Sequence, residues 1–224
     1  MRAVALITAG GQGMRMGGPR AKQYLELRGI PILARTVTVF QNHPLIEAII
    51  LTVPPEDEEF VTSTIVERFA LDKVTGVVEG GPTRQASVHN GLRTLRDADI
   101  VAIHDGVRPF VRPEVISGTI EAAERSGAAL ACAPVRDTVK RRNRSYLETI
   151  PRSSLWLAHT PQAFRAGLIL EAHRKAIEDG FEGTDDSALV ERLGYPVEIV
   201  EDSDNNLKIT TKADLERALA ILEL

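Results

Sequence analysis

Cys132 is the only cysteine, and it stands in an apolar run. A disulfide framework or a cysteine-based zinc site is excluded within one chain, and the thiol reads as a small buried hydrophobe, not a nucleophile. Aromatic residues make up 4% of the chain, with one Trp, three Tyr and six Phe, so a base-stacking platform for nucleic acid is not expected. Neither sign of charge dominates: 27 Lys and Arg against 31 Asp and Glu leave a net charge of −4. Binding to nucleic acid by bulk charge is therefore not expected either. No apolar run approaches the ~18 residues that span a membrane. The apolar residues from Ala3 to Ile7 form too short a run for a secretory leader. The expectation is a cytoplasmic protein with no nucleic-acid partner and no membrane partner.

What is present is a chain of 224 residues, 43% hydrophobic and 26% charged. Those values suit one large α/β domain over 1–224, with no staple needed for its core. Apolar runs recur at Ala3–Ala9, Leu45–Val53, Lys73–Glu79, Ile100–His104, Ala128–Pro134 and Val197–Val200. Amphipathic stretches with helical spacing lie between them. One opens at Pro31, and others cover Pro54–Phe69, Thr83–Leu95, Pro113–Arg125, Arg165–Asp179 and Asp185–Leu193. Thr211 suits the N-cap of a last helix, with Asp214 at the capping-box position. Strand and helix in alternation predict a Rossmann-like, mostly parallel sheet with helices on both faces. The polar segment 136–152 breaks the rhythm. Its alternating flanks and central turn cluster predict a protruding β-hairpin arm. Such a hairpin has no apolar face of its own and must lean on something, a second subunit being the natural support.

The first apolar run leads into Thr8-Ala9-Gly10-Gly11-Gln12-Gly13-Met14-Arg15-Met16-Gly17-Gly18, with five glycines between positions 10 and 18. Backbone N–H groups in such a loop can wrap an anion. A Walker A loop would need Gly-Lys-Ser/Thr at its end, and a dinucleotide fingerprint would need Gly or Ala where Met16 stands. Neither is met. Arg15 within the loop and Lys22 after it are two cations beside a phosphate cradle. They suit a triphosphate whose α-phosphorus gains charge during displacement. Farther on, Gly80-Gly81-Pro82 taken alone reads as a turn before a helix.

Together, Ala9-Gly10-Gly11-x-Gly13-x-Arg15-Met16-Gly17 and Lys22-Gln23-Tyr24-Leu25 resemble the signature of the sugar-phosphate nucleotidylyltransferases. Within them the chain resembles the 2-C-methyl-D-erythritol 4-phosphate cytidylyltransferase family of the non-mevalonate isoprenoid pathway. The likeness continues through Glu79–Leu92, His104-Asp105-Gly106-Val107-Arg108-Pro109-Phe110 and Pro134–Lys140. It extends over Arg152, Leu155-Trp156, Thr160-Pro161-Gln162-x-Phe164, Thr184-Asp185-Asp186 and Asn206-x-Lys208-Ile209-Thr210-Thr211. Two departures stand out. Ala21 replaces a proline before the lysine, and Gly106-Val107 replaces Ala-Ala. A valine before Arg-Pro also looks like the related ribitol-5-phosphate cytidylyltransferases.

The resemblance implies transfer of the cytidylyl group of CTP to the phosphate of methylerythritol phosphate, with release of pyrophosphate. It implies Arg15, Lys22, Arg152 and Lys208 as catalytic residues. Arg15 and Lys22 would stabilise the pentacoordinate phosphorus, while Arg152 and Lys208 would hold the acceptor's phosphate. It implies that Ala9, Gly10, Gly11, Gly13, Gly81, Pro82, Ser87 and Asp105 bind the nucleotide, and that Asp105, Arg108, Thr138, Thr160 and Thr184 line the acceptor site. Mg2+ would be held mainly by CTP phosphates, with Asp105 as a further contact. Thr138 and Arg152 would reach across from a partner, making 136–152 a dimerisation and substrate arm and the assembly a homodimer. Two other readings stand beside it: the same chemistry on ribitol 5-phosphate, and a CTP-binding sensor without catalysis.

Overall fold

The computed structural model describes residues 1–10 and 21–223. Its centre is a seven-stranded sheet. Six of the strands are β1 (Ala3–Thr8), β4 (Ile46–Val53), β5 (Val74–Glu79), β6 (Ile100–Asp105), β7 (Ala128–Pro134) and β11 (Glu198–Glu201), and the seventh is β10 (Trp156–Arg165). The order is β11-β7-β10-β6-β1-β4-β5. All neighbouring strands run parallel except β10, which is antiparallel to both β6 and β7. Two strand pairs lie outside this sheet: β2 (Glu26–Leu27) with β3 (Ile30–Pro31), and β8 (Val139–Asn143) with β9 (Tyr146–Ile150).

A parallel strand covered on both faces must be apolar at every position. In β1 the side chains alternate between two cores. Ala3, Ala5 and Ile7 pack with Leu33, Val37 and Phe40 of α1 (Ile32–Gln41) and with Ile116 and Ile120 of α4 (Pro113–Ser126). Val4 and Leu6 pack with Val88 and Leu92 of α3 (Arg84–Leu92), Ile169 of α5 (Ala166–Glu178) and Leu189 of α6 (Asp186–Arg192). Helices therefore cover both faces, as the alternating pattern predicts. A smaller cluster of Leu27, Ile32, Val107, Ile209 and Ala218 ties α7 (Lys212–Ile221) to the loop after β6.

Local chemistry sets several helix starts. Thr83 accepts from the Ala86 N–H and Asp185 from the Ala188 N–H, capping α3 and α6. Thr211 and Asp214 form the predicted capping box. Pro31, expected at the first helical position of α1, stands at its N-cap instead, and the helix begins at Ile32. The stretch expected to be one helix over Pro54–Phe69 is broken. A 3-10 turn (Pro55–Asp57) leads into α2 (Glu58–Val61) and then a wider turn over Thr62–Glu67. The hydroxyls of Thr62 and Ser63 donate to the carbonyls of Glu58 and Glu59, which competes with regular helical bonding.

β10 is a strand that the apolar runs of the sequence did not mark. Proline demotes a strand because it cannot donate to the ladder. Here Ala158 pairs with Cys132 and Gln162 with Leu130, so His159, Thr160 and Pro161 bulge opposite Ala131. The bulge accommodates the missing N–H within an internal strand and leaves Thr160 beside the carboxyl end of β6, where its hydroxyl meets the Asp105 N–H.

In β1 the last residue, Thr8, is level with Thr52 of β4 and Asp105 of β6. The chain after β1 crosses to β4 on one side, and the chain after α3 crosses to β6 on the other. Such a switch point opens a crevice beyond the carboxyl ends of the strands. β8 and β9 project from the body as a hairpin, and Tyr146 and Leu147 are 79% and 70% exposed on it.

Candidate active site

Two adjoining cavities occupy the crevice. The larger, about 620 Å3, is bordered by Ala9 and Gly10 after β1, by Lys22, and by Gly81, Pro82 and Ser87 after β5. Its walls are close together for a local reason. The Ser87 hydroxyl accepts from the Gly81 N–H at 3.0 Å and faces the Thr83 carbonyl at 3.0 Å, drawing the turn onto the first turn of α3. A Cβ on Gly81 would lie 2.4 Å from the Ala86 Cβ, and one on Gly10 would lie 3.3 Å from Ser87 Oγ. At position 81 only glycine permits so close an approach. Gln23 Nε2 donates to the Ala9 carbonyl at 2.7 Å, which fixes the Lys22 segment against the end of β1.

The smaller cavity, about 200 Å3, is lined by Arg108, His159, Thr160 and Thr184 among others. It shares Arg84, Asp105 and Lys208 with the larger one. Asp105 is the hub of that shared wall. Arg84 Nε is 3.1 Å from Oδ1; Lys208 Nζ and Arg108 Nε are 2.8 and 3.4 Å from Oδ2. Burial opposes its charge, but Arg84, Lys208 and Arg108 outweigh burial and hold the carboxyl far below the usual carboxylate range. Of the three cations, Lys208 is 39% exposed, Arg84 28% and Arg108 9%. Arg108 is further fixed by donating to the Asn206 carbonyl at 2.6 Å.

Behind Asp105 lies a neutral imidazole. His104 is buried, and its Nε2 is 3.1 Å from the Arg108 carbonyl. A carbonyl only accepts, so Nε2 carries the hydrogen. Burial, outweighing the Arg108 carbonyl, pushes the imidazole pKa down to about 4, so the ring is neutral near pH 7. Its Nδ1 then accepts from the Thr160 hydroxyl at 3.0 Å, and that hydroxyl accepts from the Asp105 N–H at 3.1 Å. Thr160 thus holds the backbone that carries Asp105, with its hydroxyl spent internally, and His104 packs rather than acting as a base.

The structure brings most of the sequence-assigned residues together. Ala9, Gly10, Lys22, Gly81, Pro82, Ser87, Asp105 and Lys208 line the larger cavity; Asp105, Arg108, Thr160, Thr184 and Lys208 line the smaller. Arg152 and Thr138 are exposed and border neither cavity within one chain. Arg152 Nη1 instead donates to the Arg136 carbonyl. Gly11, Gly13 and Arg15 lie outside the described residues. The sequence reading quoted Arg84 in its block but assigned it no role. A signal was available: a cation in the first helical turn opposes the helix dipole, so it needs carboxylates elsewhere to hold it. Those carboxylates are Asp105 and Asp186, which no local pattern connects to residue 84.

Among the described residues, no group of three or more His, Cys, Asp or Glu side chains could hold a metal ion. Mg2+ needs no such cage when phosphates and water supply its other ligands. One ionised carboxylate at the junction of two cavities, as Asp105 provides, fits that requirement.

Known proteins resemble the chain along its whole length. The sequence model of the family described as 2-C-methyl-D-erythritol 4-phosphate cytidylyltransferase matches residues 3–224. A curated protein of that name from Syntrophus aciditrophicus is 48% identical over 225 residues, covering 99% of this chain and 96% of the relative. Another from Geobacillus kaustophilus is 46% identical over 219 residues, covering 97% and 96%. Among solved structures, the 2-C-methyl-D-erythritol 4-phosphate cytidylyltransferase of Thermus thermophilus superposes with a TM-score of 0.81 at 34% identity, covering each chain completely. The 4-diphosphocytidyl-2C-methyl-D-erythritol synthase of Anaerococcus prevotii gives 0.88 at 33% identity, covering 100% of this chain and 96% of that one.

Proposed function

The chain belongs to the 2-C-methyl-D-erythritol 4-phosphate cytidylyltransferase family, and from that premise we propose how its own residues run the reaction. The enzyme transfers the cytidylyl group of CTP to 2-C-methyl-D-erythritol 4-phosphate in isoprenoid precursor biosynthesis. An acceptor phosphate oxygen forms a bond to the α-phosphorus of CTP. The bond from that phosphorus to the β-phosphate oxygen breaks, and pyrophosphate leaves with the electron pair. The attacking oxygen is already anionic, so no general base is required. Positioning and charge stabilisation carry the rate.

The observation that carries this reading is the pair of cavities meeting at Arg84, Asp105 and Lys208. CTP occupies the larger, with its base against Gly81, Pro82 and Ser87, where the close walls exclude a purine. Its phosphates follow Ala9 and Gly10 into the glycine loop of Gly11 and Gly13. Arg15 and Lys22 neutralise the charge that builds at the α-phosphorus. The acceptor occupies the smaller cavity, its hydroxyls toward Asp105 and Thr184 and its phosphate toward Lys208. Lys208 is the most exposed of the three cations around Asp105, so it can turn toward an arriving phosphate. Arg108 is braced by Asn206 and supports Asp105 from below. Asp105 would help the triphosphate hold Mg2+, and the ion would supply countercharge to the leaving pyrophosphate.

The arm completes the site from a second subunit. Arg152 and Thr138 border neither cavity of their own chain, and the arm's exposed Tyr146 and Leu147 need cover. A homodimer through 136–152 answers both needs. The enzyme works in the cytoplasm. Among the described residues no helix is long and apolar enough to cross a membrane.

The direct test is pyrophosphate release with CTP and Mg2+, comparing methylerythritol phosphate with ribitol 5-phosphate. Release with the first alone supports the acceptor roles given to Arg152 and Lys208. Release with ribitol 5-phosphate alone would keep the nucleotide site and overturn the acceptor assignment.

A further inference from the structure

Arg84 is held by two carboxylates from different parts of the chain. Its Nε is 3.1 Å from Asp105 Oδ1, in the wall shared by the cavities, and its Nη1 is 2.7 Å from Asp186 Oδ2, which lines neither cavity. Asp186 is 1% exposed, and its second oxygen faces His173 Nε2 at 3.2 Å. His173 is completely buried, and among the described residues its Nδ1 has no hydrogen-bond partner. Its hydrogen bonding is therefore directed at Asp186. A continuous line of contacts runs from His173 on α5, through Asp186 on α6 and Arg84 on α3, to Asp105 at the end of β6.

The cost of this arrangement indicates its purpose. Burying a carboxylate is unfavourable unless it is paired and hydrogen-bonded. An arginine in the first turn of α3 also opposes the helix dipole. A planar guanidinium, however, holds a fixed direction when two of its nitrogens are engaged at once, which one contact does not ensure. We propose that Asp186, braced by His173, is a positioning residue for cytidylyl transfer: it sets the guanidinium of Arg84 so that Arg84 fixes Asp105 between the nucleotide and the acceptor. Asp186 acts only through Arg84 and touches neither ligand. Arg84 itself borders both cavities, so its orientation governs both. The proposal rests on the assignment of the two cavities to CTP and the acceptor.

A double-mutant cycle tests it. Asp186→Asn keeps the shape and removes the charge, while Arg84→Ala removes the group it acts on. Each single variant is expected to lower kcat/KM by on the order of 10- to 100-fold, the scale of a displaced reacting group. The double variant is expected to be no worse than Arg84→Ala alone, because Asp186 then has nothing left to position. Additive losses, or wild-type kinetics in Asp186→Asn, would overturn the proposal and leave Asp186 as a stabiliser of α6. Should Asp186→Asn not fold, Arg84→Lys asks the same question, since an ammonium cannot brace both carboxylates in a fixed fork. Its kinetics are expected to approach those of Arg84→Ala, and wild-type kinetics would overturn the idea. CTP affinity is measured by calorimetry on every variant. A wild-type protein that binds CTP yet releases no pyrophosphate with the acceptor would refute the assigned reaction. The cycle is then read in CTP affinity, where additivity would still overturn the positioning role.

Discussion

Lys208 Nζ stands 2.8 Å from Asp105 Oδ2, joining the segment before α7 to the carboxyl end of β6. Two hydrogen bonds hold the segments in place: the Ile209 N–H donates to the Val107 carbonyl at 3.0 Å, and the Arg108 guanidinium donates to the Asn206 carbonyl. Asp105 therefore organises three cations that come from three separate stretches of sequence.

Replacing Asp105 with Asn leaves Arg84 and Arg108 without their shared anion. Removing one partner of a buried ion pair costs about 3–5 kcal/mol. The expected result is a lower denaturant midpoint together with loss of turnover. The acid side of the stability curve provides a second readout. The folded carboxyl sits below its ordinary value of 3.8, so its contribution is complete above that pH and declines as pH falls beneath it. The variant should lose less stability than the wild type over that acid range. Parallel acid limbs in the two proteins would contradict the account.

Gly81→Ala would press a methyl to 2.4 Å from the Ala86 Cβ, so the turn or α3 must move. Overpacking of this kind costs about 1–3 kcal/mol. The KM for CTP should rise more than the KM for the acceptor, because Gly81 borders only the larger cavity. Steady-state kinetics with each substrate varied in turn checks this, and equal effects on both would count against it.

The proposed sharing of the site between subunits is open to a subunit-mixing experiment. Arg152→Ala and Lys208→Ala homodimers should each be nearly inactive. If Arg152 serves its partner's site, each mixed dimer has one intact site and one carrying both defects. Random reassortment should then restore roughly a quarter of wild-type activity. No recovery, with mixed dimers verified by mass, would place Arg152 in its own chain's site or outside catalysis.

The His104 imidazole should titrate near pH 4 rather than at its ordinary 6.5. The unfolded chain then takes up a proton that the folded protein refuses between those values. This contribution to stability is complete above pH 6.5, falls as pH drops through that window and levels off below about 4. Nitrogen-15 spectra should show a neutral ring with hydrogen on Nε2 at pH 6. A charged ring at that pH would refute the Thr160 hydrogen-bond direction derived above.

Elements made by local patterning were legible before the fold. Strands buried on two faces show as continuous apolar runs, and Thr83, Asp185 and the Thr211–Asp214 box mark helix starts within a few residues. β10 was not legible because Pro161 interrupts it and its partners, β6 and β7, are distant in sequence. The break after α2 depends on hydroxyl-to-carbonyl bonds that compete with an otherwise helical pattern. In the site, glycines and cations in short blocks were legible. Asp186 was legible only as part of a block, with no sign of what it holds.

The sequence by itself determined the alternating α/β order, the polar arm, the glycine turns and most of the cations around the site. Each of those depends on residues within a few positions of one another, through periodicity, capping or backbone freedom. Only the tertiary structure decided that Arg84 would be shared between Asp105 and Asp186, that Thr160 would brace His104 and Asp105, and that Arg152 would lie away from its own chain's cavities. Those outcomes follow from which strands become neighbours and which helix ends converge on the switch point. Ion pairing and burial depend on distances in space, and those distances are set when the whole sheet closes around its two cores.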